Sequence, residues 1–154
     1  MRRLCIVLLL VAPLGARAQT PEEEIRSKTA KFTASIVSKD LSVLDEVFES
    51  DPDNVYYDIN EGPLTGFERL KRVWTAAVTN NSITRFDFAN DMKIVVKGET
   101  ALQTATWTQT QVSRSGQSRE IFGRATVLWR NRNGAWRVYH YHASVTPPRQ
   151  AFSR

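Results

Sequence analysis

Residues 123–144 read GRATVLWRNRNGAWRVYHYHAS and hold the clearest structural signal in the chain. Two runs rich in β-branched and aromatic residues flank Asn133-Gly134, a dipeptide typical of two-residue β-hairpin turns. Further turn signals at Lys97-Gly98 and Ser115-Gly116 separate similar runs upstream. The sequence therefore predicts an antiparallel meander of four strands, at Thr84–Val96, Thr100–Arg114, Gln117–Arg130 and Ala135–Val145.

Helical patterns lie on the N-terminal side of this meander. Thr20-Pro21-Glu22-Glu23 is a capping box, Asp40 is suited to cap a second short helix, and a third begins after Thr65 with the same box pattern. Val55–Ile59 reads as a strand between the second and third helices. The predicted fold class is α+β, a cone-shaped curved antiparallel sheet wrapped by three N-terminal helices, and the mouth of such a cone suits an apolar pocket.

The first 18 residues have the pattern of a cleaved signal peptide. Basic residues precede an apolar run at Leu4–Ala12, and Ala16-Arg17-Ala18 has the small-x-small form of a cleavage site. The predicted organisation is a signal peptide at 1–18, a domain at 19–147 and a tail at 148–154. No later stretch approaches the roughly 20 apolar residues of a membrane span, so we expect a secreted or periplasmic protein without a membrane anchor after cleavage.

The cysteine count and the net charge exclude some classes of function. Loss of three leader arginines lowers the net charge from +5 to +2, and the one cysteine, Cys5, is lost with the leader. A disulfide scaffold is thereby excluded. A nucleic-acid site is not expected either, because Arg130, Arg132 and Arg137 alone suggest a basic patch and they fit a solvated hairpin tip.

The two histidines, His140 and His142, are two residues apart and share one face of the last predicted strand. A catalytic zinc site needs three protein ligands, and residues 19–154 contain no further histidine or cysteine. We therefore predict no metal site and no cofactor. Instead of binding a metal, both histidines could pack at the mouth of the cone or contact a ligand.

Other candidate site residues lie on the predicted strands and third helix. Tyr57 or Asp58 could serve as a general base or a hydrogen-bonding group, and Trp74 and Trp107 could line a pocket or belong to the core. If their strand faces point inward, Gln103 and Arg124 are polar groups in an apolar cavity. A solvated position is the alternative for Arg124, because a slip of one residue reverses a strand's faces.

Both faces of the last two predicted strands carry apolar or aromatic residues. Strict alternation puts Leu128, Trp136 and Val138 on one face and Val127, Trp129, Tyr139 and Tyr141 on the other. The helices cover one face only. The sequence therefore predicts a homodimer that buries the other face.

The segment 123–144 resembles the closing hairpin of nuclear-transport-factor-2-like (cystatin-like) proteins, especially SnoaL-like domains and the association domain of calcium/calmodulin-dependent kinase II. The matching residues are Thr126, Trp129, Gly134, Trp136, Val138, His140, His142 and Ser144. The resemblance covers about residues 22–147 and is supported by Gly98-Glu99-Thr100-Ala101 and by residues 62–66. It implies a cone-shaped barrel, usually dimeric, whose pocket serves isomerase, cyclase or dehydratase chemistry, ligand binding or assembly in different members.

The chain differs from two kinds of relative, the kinase association domain and the ketosteroid isomerases, at the positions of their functional residues. The pocket arginines of the kinase association domain correspond to Thr108, Val127 and Ala143, so its carboxylate-binding pocket is not expected here. The carboxylate base of ketosteroid isomerases aligns with Tyr57, and Asp58 follows on the opposite face. The resemblance does not decide whether the protein is an enzyme.

Two hypotheses follow. The first is a protein that binds a small apolar molecule and carries out acid/base chemistry, with Asp58 and His142 as catalytic candidates. Its ligand-binding candidates are Tyr57, Trp74, Gln103, Trp107, Arg124 and His140. The second is a non-enzymatic exported dimer that binds a ligand or serves assembly.

Overall fold

The structure, a computed structural model, describes residues 19–59, 62–80 and 82–146. The predicted signal peptide and C-terminal tail lie outside these residues. Within the described part the chain forms helices α1 (Pro21–Ser38), α2 (Leu44–Val47) and α3 (Phe67–Asn80), and a 3-10 turn at Leu41–Val43 precedes α2. None of these helices combines the length and the apolar content needed to cross a membrane.

The capping box predicted at Thr20 starts α1. Glu23 N donates to Thr20 Oγ1 over 3.2 Å, and Thr20 N donates to Glu23 Oε2 over 2.8 Å, which satisfies two otherwise unpaired amides. Ile25, Phe32 and Ile36 are buried on its inner face. The helix ends at Lys39, which has a left-handed backbone with φ of 65°.

Asp40 caps the second helical segment, as its sequence position predicts. Its Oδ1 accepts from Ser42 N over 3.2 Å. The segment is nevertheless a 3-10 turn followed by one α turn rather than a two-turn helix. Thr65, expected to cap α3, lies in a short strand instead, and Gly66 with φ of 83° directly precedes the helix.

The seven strands of the described chain form one sheet with the order β2-β1-β7-β6-β5-β3, and β4 pairs with β5 off this path. Their bounds are β1 Val55–Tyr57, β2 Leu64–Thr65, β3 Ser82–Phe88, β4 Lys93–Lys97, β5 Thr100–Val112, β6 Ser118–Arg132 and β7 Ala135–Val145. The α+β class and the helix-wrapped sheet are confirmed. The sheet is mixed, because β1 runs parallel to β7, and it does not close.

The strand predicted at Thr84–Val96 is two strands, β3 and β4. They pair with opposite ends of β5, and the chain leaves the sheet between them. At this gap the Asp91 carboxylate accepts from Thr106 N over 3.0 Å and from Thr106 Oγ1 over 2.9 Å. The Asp91 side chain thus accepts the hydrogen bond of the Thr106 amide, which a backbone carbonyl of a continuous edge strand would otherwise accept.

A β-bulge in β7 corrects the predicted distribution of apolar residues. Trp129 pairs with Val138 but Leu128 pairs with His140, so Tyr139 is an extra residue. After this shift Trp136, Val138 and Tyr141 all face the helices together with Trp129, and all four are buried. Strict alternation placed Trp136 opposite Trp129, which is wrong.

The face of the sheet turned away from the helices, called the outer face below, is partly apolar. Phe122 is 52% exposed, Val95 50% and Leu102 40%. Leu128 pairs with Leu102 and lies on the same face. An uncovered apolar surface is therefore present, and of the residues that alternation assigned to the two faces, Leu128 and Tyr139 lie on it.

Candidate functional site

A half-open cavity of about 50 Å³ lies between α1, α3 and the sheet. Its walls are mostly apolar, formed by Phe32, Ile36, Ile59, Trp74, Ala77, Val78, Ile83 and Phe86. Its polar side chains are Asp58, Trp107, Gln109, Gln111 and Tyr141. An apolar cleft with a few convergent polar groups is the usual form of a small-molecule site.

Asp58 is the one ionisable carboxylate among the described residues that line this cavity. It directly follows β1, where Oδ1 accepts from Ile59 N over 2.8 Å and Oδ2 accepts from Trp74 Nε1 over 2.9 Å. Trp74 is itself stacked on Phe32, with ring centroids 4.7 Å apart. The carboxylate is therefore held in one orientation by an indole that the core fixes.

Tyr141 forms another polar part of the wall and is only 4% exposed. Burial raises the pKa of its hydroxyl, and the negative charge of Asp58 raises this pKa further. The phenol is therefore a neutral donor across the physiological pH range. Strict alternation places Tyr141 on the face of Val127 and Trp129, which is the inner one, but nothing in the residues marks this tyrosine as part of a site.

Trp107 and Gln103 lie four residues apart on the inner face of β5. Trp107 lines the cavity, whereas Gln103 lines a smaller inner cavity of about 10 Å³. Gln103 Oε1 accepts from Trp129 Nε1 over 2.7 Å. The inward positions expected for Trp74, Trp107 and Gln103 are found, and their roles toward a ligand stay predictions.

Four other candidates lie on the outer face and do not meet Asp58. His142 pairs with exposed Thr126, and the Tyr57 ring lies 5.4 Å from the His142 ring and 6.2 Å from the His140 ring. Arg124 is exposed on the same face. The expectation that Arg124 shares a cavity with Gln103 is therefore wrong, and one cavity does not hold both Asp58 and His142.

His140 has a defined backbone partner. Its Nδ1 lies 2.7 Å from Val55 O, and since a carbonyl only accepts, Nδ1 carries the proton. This bond ties β7 to β1. Among the described residues, no three His, Cys, Asp or Glu side chains are grouped closely enough to hold a metal ion.

Two of the three arginines near the last hairpin are paired. Arg130 Nη2 bonds Glu49 Oε2, and Arg132 Nε lies 3.1 Å from Glu49 Oε1. Glu49 is only 6% exposed. The prediction of a solvated tip holds for Arg132 and Arg137, which are exposed, whereas Arg130 is partly buried against Glu49.

The curved sheet wrapped by helices defines a nuclear-transport-factor-2-like fold, and several solved structures share it. A protein of this superfamily from Salmonella enterica serovar Typhimurium has a TM-score of 0.72 and 21% identity, covering 86% of this chain and 96% of its own. A candidate dehydratase of the NTF2-like family from Streptomyces avermitilis has a TM-score of 0.71 and 19% identity, covering 82% and 97%. A candidate calcium/calmodulin dependent protein kinase II association domain from Xanthomonas campestris has a TM-score of 0.69 and 15% identity, covering 83% and 89%.

The chain also matches the SnoaL-like domain family over residues 25–148 and belongs to this family. The resemblance seen in the closing hairpin is thus confirmed. No curated protein sequence matches significantly. At these identities the solved structures define the fold alone.

Proposed function

We propose that this protein is exported, binds a small and largely apolar molecule in the cavity, and uses Asp58 for acid/base chemistry on it. The observation that carries the proposal is the Asp58 carboxylate, held at an apolar cavity by Trp74 Nε1 over 2.9 Å. A carboxylate fixed next to an apolar binding site is suited to take a proton from a bound molecule. The SnoaL-like family and a candidate dehydratase of the same fold support this class of function.

The groups around Asp58 suggest how a ligand is held. The carboxylate accepts a hydrogen bond or a proton, and the neutral Tyr141 hydroxyl donates to an acceptor on the ligand. Such a pair suits isomerase, cyclase or dehydratase chemistry, in which one group removes a proton and another stabilises developing charge. Because the cavity measures about 50 Å³, it takes one small end of a ligand, and the remainder extends through the mouth.

The first experiment is native mass spectrometry of the protein purified under mild conditions after expression of the full chain. We expect a discrete additional mass that identifies the ligand. Asp58→Asn should lower the ligand occupancy, or leave it intact and reduce turnover of the identified ligand about 10²-fold or more. Asp53→Asn, at an exposed turn residue, is the matched control and should retain both.

If wild-type protein carries no ligand and Asp58→Asn behaves as Asp53→Asn in every ligand assay, the proposed site is wrong. The same preparation tests export. Release of the protein into the periplasm or medium with Gln19 as its first residue supports the predicted cleavage. Retention of Met1 in cytoplasmic protein contradicts it.

A second candidate function, a non-enzymatic dimer for ligand binding or assembly, is favoured by the exposed apolar residues of the outer face. Leu102, Leu128 and Val95 adjoin one another there. A second copy of the chain is the simplest cover for this surface. Leu102→Glu should convert a dimer into a monomer in sedimentation experiments, whereas Ala76→Glu on the exposed side of α3 should not. A monomeric wild-type protein contradicts this function.

A further inference from the structure

Three buried tryptophan side chains differ in what their indole nitrogens contact. Trp74 Nε1 donates to Asp58 over 2.9 Å, and Trp129 Nε1 donates to Gln103 over 2.7 Å. Trp107 Nε1 is buried and has no hydrogen-bond partner in the part of the chain that the structure describes. A buried donor without a partner is destabilising, so this exception needs an explanation.

The position of Trp107 is fixed by its surroundings. The indole lies across Gly123, where a Cβ atom on the glycine would be 2.2 Å from Cζ2 and 2.4 Å from Cε2. Phe86 stands perpendicular to it, with ring centroids 6.0 Å apart. An aromatic ring is at most a weak acceptor, so these neighbours hold the indole but do not replace a hydrogen bond.

Gln103 Nε2 is the other buried side-chain nitrogen of β5 without a partner in the described chain. It belongs to the inner cavity of about 10 Å³, which is about the space of one water molecule. Trp107 instead lines the half-open cavity of about 50 Å³. The inner cavity therefore has room for a water molecule beside Gln103, whereas the cavity lined by Trp107 has room for a ligand group.

The charge of the cavity restricts that ligand group. The described residues that line the cavity include the carboxylate of Asp58. They include no arginine, lysine or histidine. A carboxylate or phosphate on the ligand would be desolvated beside this negative charge without a cationic partner. The cavity therefore disfavours an anionic acceptor and favours an uncharged one.

We infer that Trp107 is a specificity residue whose indole N–H donates to an uncharged oxygen acceptor on an otherwise apolar ligand. This inference rests on the proposed function and adds the chemical class of the ligand. The acceptor is a carbonyl or an ether oxygen. It lies on the sheet side of the cavity, and Asp58 contacts a different part of the molecule.

The test uses four five-membered-ring probes and the indole signals of ¹⁵N-labelled protein. The probes are cyclopentanone, tetrahydrofuran, methylenecyclopentane and cyclopentanecarboxylate. Cyclopentanone should move the Trp107 Hε1 signal downfield and leave the Trp129 signal in place. Methylenecyclopentane should bind without this shift, and cyclopentanecarboxylate should not bind. A response to tetrahydrofuran extends the acceptor class to ethers, and no response restricts it to carbonyls.

Trp107→Phe provides the affinity test, because phenylalanine fills most of the space but has no N–H. The ratio of cyclopentanone affinity to methylenecyclopentane affinity should fall about tenfold in this variant. Ile36→Val, which alters the cavity wall but no polar group, should keep the ratio. If Trp107→Phe does not fold, the wild-type indole shift remains a sufficient test.

The outcomes separate this inference from the function on which it rests. Binding of cyclopentanone without a shift of the Trp107 signal, or an unchanged ratio in Trp107→Phe, overturns the inference and leaves a small-molecule cavity. If none of the four probes perturbs any signal from the cavity wall, both the inference and the proposed cavity function are wrong.

Discussion

Asp58 and Trp74 are 16 positions apart in the chain, yet Trp74 Nε1 donates to Asp58 Oδ2 over 2.9 Å. The bond joins the end of β1 to the middle of α3. It is made on the same face of α3 that buries Leu70 and Val78. Core packing therefore decides where the charge of Asp58 lies, so the two residues should contribute to stability as a pair.

This coupling is measurable in a double-mutant cycle. Trp74→Phe keeps an aromatic ring beside Phe32, and Asp58→Ala removes the acceptor. A hydrogen bond to a charged group is worth about 1.5–3 kcal/mol, so the double variant should be less destabilised than the sum of the single variants by about that amount. Urea unfolding gives the three values, and additivity within about 0.5 kcal/mol would mean that the bond does not contribute.

A second prediction concerns the buried cation of α1. Lys28 is 8% exposed, and its Nζ donates to Trp136 O over 2.7 Å and lies 3.2 Å from Glu24 Oε1. Glu24 Oε1 also accepts from Trp136 N, so the pair fastens α1 to the start of β7. Lys28→Met should destabilise the protein by about 1–3 kcal/mol, because it leaves a buried carbonyl without its donor.

Lys31 is the matched control for this substitution. It pairs with Glu46 over 2.7 Å, but both side chains are about half exposed, at 51% and 49%. Exposed ion pairs contribute little, so Lys31→Met should change the free energy of unfolding by less than about 1 kcal/mol. Equal losses in the two variants would contradict the role given to Lys28.

The fold was predictable from the sequence because its main signals are local. The capping box at Thr20 and the Asn133-Gly134 turn each act within a few residues, and so does the helical spacing of the apolar residues Leu70, Trp74 and Val78 in α3. The gap between β3 and β4 was not predictable. It depends on the contact of Asp91 with Thr106, 15 residues away, and no pattern within the segment 84–96 indicates that partner.

The candidate site was predictable only in part, for a geometric reason. Asp58, Trp74 and Trp107 lie on, or directly after, elements in which no bulge reverses the direction of the side chains. They point inward as expected. Tyr141 follows the bulge in β7, which turns it inward. A bulge changes the face of every later residue in its strand, so alternation alone could not show that Tyr141 shares the inner face with Trp136 and Val138.

A third prediction concerns alkaline stability. Burial raises the pKa of Tyr56 from its ordinary value of 10.0 to about 12. Its hydroxyl donates to Glu49 O over a long 3.5 Å contact, and an interaction with the Asn54 side chain opposes part of the rise in pKa. Between pH 10 and about 12 the unfolded chain loses this proton while the folded protein keeps it. The contribution of Tyr56 to the free energy of unfolding is therefore complete below pH 10 and decreases as the pH rises toward 12.

Tyr56→Phe removes this titration together with the long contact to Glu49 O and the interaction with Asn54. The variant should resemble wild type at pH 7, and between pH 10 and 12 it should lose about 1–3 kcal/mol less stability than wild type. Urea unfolding at a series of pH values measures the difference. Parallel curves for the two proteins would show that Tyr56 does not carry the alkaline loss.

The last prediction concerns Gly123, which pairs with Trp107 in β5 and Val145 in β7. A Cβ atom at this position would lie 2.2 Å from Trp107 Cζ2 and 2.3 Å from Ser144 O. The second contact is with backbone, so a side-chain rotation cannot relieve it. Gly123→Ala should cost about 3 kcal/mol or more. Gly62→Ala should cost less than about 0.5 kcal/mol, because among the described residues no atom beyond its chain neighbours lies within 4 Å of the new methyl group.

A double variant separates the two contacts. Trp107→Ala combined with Gly123→Ala removes the clash with the indole and keeps the clash with Ser144 O. The added alanine at position 123 should therefore cost less in the Trp107→Ala background than in wild type, but more than Gly62→Ala does. Thermal unfolding of wild type, the three single variants and the double variant measures this order. Full rescue would mean that the indole alone requires glycine at 123, and an unchanged cost would mean that the β7 backbone alone requires it.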